Sequence, residues 1–128
     1  MAGFELSWGL TWFGVPMRVL VVDDEALILL LVAGWLEDLG CEVETALNGT
    51  EALAKLNGEP HIELLITDVT MPGMSGYELA ERAADIQPGL KVVLLSGAQT
   101  DPHRLPLIRK PVLQHDLRRL IEATAGPC

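Results

Sequence analysis

The chain has 128 residues, 49% of them apolar, and its 18 acids against 9 lysines and arginines give a formal charge of -9. That length fits one domain burying roughly 65–70% of the surface its unfolded chain exposes, and the apolar content excludes a disordered chain. The acid excess excludes direct binding to nucleic-acid phosphates or to an anionic membrane surface, while leaving room for a carboxylate site that takes a divalent cation.

Residues 1–16 read as an N-terminal extension. From position 4 to 12 the even residues are Phe4, Leu6, Trp8, Leu10 and Trp12, and the odd ones are Glu5, Ser7, Gly9 and Thr11. Strict alternation of this kind describes a strand with one buried face. Two readings stand: an extra strand packed on its own domain or on a neighbour's, most simply as a two-fold homodimer contact, or a start-site artefact upstream of Met17. The domain proper is expected over 17–128. Its first strand, Val19-Leu20-Val21-Val22, ends in Asp23, Asp24 and Glu25. A helix then runs from about Ala26 to Leu39, closed by Gly40. This helix is apolar all round. Leu29, Ala33 and Leu36 are expected to form a stripe facing water, which marks an interface for the extension or for another chain.

Glu42 to Ala46 reads as a short strand, and Asn48 caps a helix to about Leu56, stopped by Asn57-Gly58. Leu64-Leu65-Ile66-Thr67-Asp68 is an apolar run ending in a carboxylate, with Pro72-Gly73 close behind. Ser75 caps the next helix, with Glu78 as its capping-box partner. Val92-Val93-Leu94-Leu95 is a fourth buried strand ending at Ser96-Gly97. Leu107-Ile108 is a brief fifth, closed by Arg109-Lys110-Pro111, and a last helix spans about Gln114 to Ala125. Strands alternating with helices at these lengths make an α/β, doubly wound parallel sheet. Cys41 and Cys128 lack metal-ligand spacing and a disulfide framework. There is no basic n-region, and no apolar run approaches the ~20 residues of a membrane span, so a cytoplasmic location is expected.

Four strand ends thus deliver Asp23, Asp24, Asp68, Ser96 and Lys110 to one face. Crowded carboxylates need a cation or retained protons, and an oxygen-rich site suits Mg2+, with Mn2+ able to take its place. A lysine and a hydroxyl facing a central carboxylate are parts for handling a phosphoryl group, with Asp68 as nucleophile.

The motifs Val-Leu-Val-Val-Asp-Asp-Glu, Leu-Leu-Ile-Thr-Asp-Val-Thr-Met-Pro-Gly-Met-Ser-Gly, Val-Val-Leu-Leu-Ser-Gly and Arg-Lys-Pro resemble the receiver domain of two-component response regulators, over residues 17 to about 125. The resemblance implies a flavodoxin-like, CheY-like fold with five parallel strands in the order 2-1-3-4-5. It implies that Asp68 is phosphorylated by a histidine kinase or histidine phosphotransfer protein. Asp24, Asp68 and the backbone carbonyl of Thr70 would ligate Mg2+, with Asp23 acting through water. Ser96 and Lys110 would contact the phosphoryl oxygens. Such a domain is no enzyme beyond Mg-dependent self-phosphorylation and autodephosphorylation.

Two features depart from the pattern. Only fourteen positions separate Ser96 from Lys110, and two prolines fall among them, so the fourth helix is expected to be missing or about one turn long. Gly97 to Pro106 is therefore expected to be the least stable stretch. Where the family usually has an aromatic residue three positions before the lysine, this chain has Leu107. Both features resemble atypical single-domain receivers, with an unidentified output partner. A receiver cut from a hybrid kinase or longer regulator, and a pseudo-receiver docking module that carries no phosphate, are the alternatives. An aspartyl phosphatase would need a second acid where Thr70 stands.

Overall fold

Successive side chains of a strand point to opposite faces, so an uninterrupted apolar run is stable only when both faces are covered. The computed structural model, which describes residues 16–58, 61–97 and 105–125, shows this at the first run. In β1 (Arg18–Val22), Val19 and Val21 enter one core cluster and Leu20 and Val22 the other. β3 (Leu64–Asp68) divides likewise, Leu64 and Ile66 against Leu65. With β2 (Glu42–Ala46), β4 (Lys91–Ser96) and β5 (Leu107–Arg109) they form one parallel sheet in the order β2-β1-β3-β4-β5. Val19 stands beside Leu64 and Leu64 beside Lys91, so the three central strands start level.

Helices α1 (Ala26–Asp38) and α4 (Gln114–Ala125) cover one face, and α2 (Gly49–Asn57) and α3 (Gly76–Ile86) the other. The end of α1 is set by Gly40 at φ 96°, where a side chain would be strained. Its N–H donates to the Glu37 carbonyl at 2.9 Å and that of Cys41 to Leu36 at 3.1 Å, satisfying carbonyls the helix leaves open. Asn48 caps α2 by accepting the Glu51 N–H at 2.8 Å, and the Glu51 carboxylate accepts the Leu47 N–H at 2.8 Å. Ser75 accepts the Glu78 N–H at 3.1 Å, while the Glu78 carboxylate turns outward to Arg82.

The phase of α1 differs from expectation. Leu29 and Leu36 are buried and Ala33 is half-buried, so that stripe does not face water. The outward apolar face is Leu27, Leu30 and Leu31, exposed by 79%, 70% and 45%. A helix apolar all round carries no polar face to fix its rotation; contact with β1, β2 and α4 fixes it instead.

Four helices accompany the sheet among the described residues, none of them between β4 and β5. The expected short helix there, and most of the stretch expected to be least stable, fall on residues 98–104, outside those described. The expected strand over 4–12 also lies outside them. No helix among the described residues is long and apolar enough to cross a membrane. The outer strand β2 carries Glu42 and Glu44, both paired with Arg18 of β1, and Glu44 also with Lys55 of α2 at 3.7 Å.

Candidate functional site

The upper ends of β1, β3, β4 and β5, their carboxyl ends, hold all five side chains singled out above. Asp23 follows β1 and is fully buried. Its N–H donates to the Ala46 carbonyl at 3.2 Å, and its Oδ1 accepts the Glu25 N–H at 2.9 Å. Asp24, next in the chain, is exposed. Asp68 closes β3 and is 6% exposed; Ser96 closes β4 and is 8% exposed. Lys110 follows β5, and its backbone N–H donates to the Ser96 carbonyl at 2.9 Å, which fixes where its side chain starts. From there Nζ reaches Asp68 Oδ1 at 3.0 Å and Asp23 Oδ2 at 3.5 Å.

Backbone close to Asp68 explains a glycine that the sequence motif alone leaves unexplained. A Cβ on Gly76 would collide with the Asp68 carbonyl oxygen and come within 3.0 Å of Val69 Cα. The Gly76 N–H donates to the Val69 carbonyl at 2.8 Å. The start of α3 is thereby clamped against the end of β3, holding the carboxylate on a rigid seat. Gly73, at φ 83°, makes the turn between them.

Oxygens of Asp23, Asp24 and Asp68 all lie within 4.8 Å of one another. Burial, aided by the Asp68 charge, pushes the Asp23 carboxyl above its ordinary value, against the opposing pull of the Glu25 N–H and Lys110. For Lys110 burial opposes the charge, yet the hydrogen bond to Asp68 and the nearby Asp23 outweigh it and raise the ammonium's pKa. One ammonium thus faces three carboxylates, which leaves a hard, oxygen-only, net negative cluster. That donor set fits a divalent cation such as Mg2+ or Mn2+, which takes carboxylates together with water. Thr70 lies two residues past Asp68, exposed, in the turn leading to Pro72 and Gly73.

Beside the cluster, sharing only Asp24 with it, lies an open depression of about 600 Å³ bounded by Asn48, Gly49, Pro72, Gly73 and Met74. Leu27, in the first turn of α1 three residues past Asp24, is an exposed apolar side chain. The sequence did not show its exposure because no charged residue marks the outer side of the helix. His61, read as a solvated turn residue, is exposed and meets Gln87 at 3.3 Å; His115 is exposed and pairs with Asp116 at 3.5 Å. His103 lies outside the described residues.

The fold and the sequence pattern both recur among known proteins. The family model for the response regulator receiver domain matches residues 19–121. The rice two-component response regulator ORR11 is 32% identical over 117 residues, covering 84% of this chain and 80% of that protein. A response regulator receiver domain protein from Clostridium thermocellum superposes with a TM-score of 0.77 at 31% identity, covering 85% of this chain and 94% of the other. The receiver domain of the hybrid histidine kinase CckA superposes with a TM-score of 0.76 at 31% identity, covering 85% and 99%.

Proposed function

Because the chain belongs to the response regulator receiver domain family, we propose that Asp68 accepts a phosphoryl group from the phosphohistidine of a histidine kinase or phosphotransfer protein, and that the chain signals through protein contacts that change as a result. The observation that carries this reading is the Asp68 carboxylate, held at a strand end 3.0 Å from the Lys110 ammonium and beside two more carboxylates. An Asp68 oxygen attacks phosphorus; the new P–O bond forms as the P–N bond breaks, and the imidazole leaves with the bonding electron pair. Lys110 stabilises the negative charge on the phosphoryl oxygens, and the Ser96 hydroxyl offers one of them a hydrogen bond. Asp23, Asp24, Asp68 and the Thr70 carbonyl would hold a Mg2+ ion, which when bound supplies further positive charge against those oxygens. As the charge on Asp68 changes, Lys110 exchanges its carboxylate partner for a phosphoryl group, which couples the chemistry to the β5–α4 end of the domain.

The histidine donor must approach the mouth, and Leu27, Leu30 and Leu31 offer the apolar surface on which its protein would rest. Acetyl phosphate with Mg2+ is expected to label the protein once per chain, and Asp68→Asn, which keeps the shape but removes the nucleophile, is expected to abolish labelling. Stoichiometric labelling of Asp68→Asn would overturn the assignment. No labelling of the wild-type chain by either acetyl phosphate or a kinase would favour the phosphate-free docking module.

A further inference from the structure

Among the described residues the buried polar or charged side chains are Asp23, Thr67, Asp68 and Ser96. Asp23, Asp68 and Ser96 belong to the carboxylate site. Thr67 has no part in it so far, yet it precedes Asp68 in β3, a strand buried along its whole length. By alternation its side chain leaves the strand on the face of Leu65, opposite to that of Asp68. A hydroxyl buried there costs free energy unless it is hydrogen-bonded, and a valine would fill the same space without that cost.

The Thr67 hydroxyl donates to the main-chain carbonyl of Asp68 at 3.0 Å. The N–H of the same peptide unit, on Val69, donates to the Leu95 carbonyl of β4 at 3.1 Å. In a trans peptide the carbonyl points the opposite way, away from β4 and toward the β1 side. Pairing of β1 with β3 stops at Val22 and Thr67, so the ladder has no rung for the Asp68 carbonyl. A buried carbonyl needs a donor, and the hydroxyl one residue back supplies it. Gly76 closes over the same oxygen, leaving no room there for a Cβ.

We infer that Thr67 is a positioning residue for Asp68: its hydroxyl stands in for the absent rung and fixes the peptide unit through which β3 leaves the sheet. The inference rests on the reading of Asp68 as the phosphoryl acceptor. The Asp68 carboxylate stands 3.0 Å from Lys110 Nζ, and its aim follows from the backbone on both sides of its Cα. The sheet holds the side that precedes it. The side that follows is held by the Val69 N–H and by the Thr67 hydroxyl. A peptide unit fastened by its N–H alone tilts about that bond and carries the carboxylate with it. A misplacement of about 1 Å at a reacting group costs up to roughly 100-fold in rate.

The test compares Thr67→Val, which keeps the branched shape and loses the hydroxyl, with Thr67→Ser, which keeps the hydroxyl and loses a buried methyl. Each full-length variant is measured for Tm, for Mn2+ affinity by electron paramagnetic resonance, and for labelling by acetyl phosphate at saturating Mg2+. Thr67→Val should lower the maximal labelling rate roughly tenfold with the KM for acetyl phosphate unchanged, and should weaken Mn2+ binding severalfold. Thr67→Ser should restore both while melting below the wild type, because it leaves a small cavity. Thr67→Ala should share the slow labelling of Thr67→Val and the lowered Tm of Thr67→Ser. The inference is overturned if Thr67→Val labels and binds Mn2+ as the wild type does. It is equally overturned if Thr67→Ser is impaired as much as Thr67→Val, since rate would then follow packing and not the hydroxyl. A wild-type chain that binds Mn2+ but takes no label removes the phosphoryl reading instead, and the Mn2+ affinities of the variants then decide on Thr67.

Discussion

At Asp23, burial and the nearby Asp68 charge act together against ionisation. Its carboxyl therefore holds a proton to higher pH in the folded chain than in the unfolded one. The stability this group provides is fully present below its ordinary value of 3.8, falls as pH rises toward the folded value, and stays lost above it. In EDTA at neutral pH, Asp23→Asn is expected to raise Tm by roughly 2–6 °C, and the gain should vanish in acid. With saturating Mg2+ the order should reverse, because the wild-type chain binds the ion more tightly. Denaturation scans over a pH series with and without the metal check both signs. Lys110 behaves oppositely: its raised pKa contributes stability below about the ordinary 10.5 that is lost as pH climbs through the folded value. Lys110→Ala should destabilise the metal-free protein by about 1–2 kcal/mol, since two crowded carboxylates lose their counter-charge, with discounting for partial exposure. It should also slow labelling of Asp68. These five side chains were legible in the sequence because each ends or follows an apolar run, and parallel topology brings such ends together. What sequence could not show is that Asp23 is the buried member of the pair and Asp24 the exposed one.

Among the elements, α3 and α1 matter most for the site. Gly76→Ala would set a methyl group against the Asp68 carbonyl, so α3 must shift or β3 must bend; a loss of about 1–3 kcal/mol is expected. Phosphorylation should slow in parallel, whereas Gly34→Ala, with nothing near its Cβ and the better helix former, should stabilise slightly. Thermal melts and acetyl phosphate labelling of the two variants separate these outcomes. On α1, Leu27→Glu or Leu30→Glu should slow phosphotransfer from a kinase or phosphotransfer protein while leaving labelling by acetyl phosphate intact, because only the protein donor needs that face. Equal slowing with both donors would contradict the docking role. Element boundaries were legible to within a residue or two, thanks to Asn48, Ser75 and the Gly40 terminator. The rotation of α1 was not: Ala26 to Leu36 contains no charged residue to say which side is wet, and the answer depends on its tertiary neighbours.

Across the whole molecule, alternating strands and helices read as a doubly wound parallel sheet; its strand order came only from the family resemblance, and the structure matches it. The placement of β5 was not legible, because where it begins relative to β4 is a register no local pattern encodes. The opposite side of the sheet has a different fate. An outermost strand offers unpaired amides to any other strand that drifts near, and β2 meets that hazard with Glu42 and Glu44, tied to Arg18 and Lys55. Exposed pairs of this kind contribute little to monomer stability, about 0–1 kcal/mol. Glu42→Gln with Glu44→Gln should therefore leave Tm nearly unchanged at neutral pH, yet lower the concentration at which light scattering appears. The wild-type chain should show the same weakness near its isoelectric point of about 4.6, where the net charge no longer keeps copies apart. The two glutamates of β2 thus act on colloidal behaviour, keeping an outer strand with open backbone groups from recruiting its own kind.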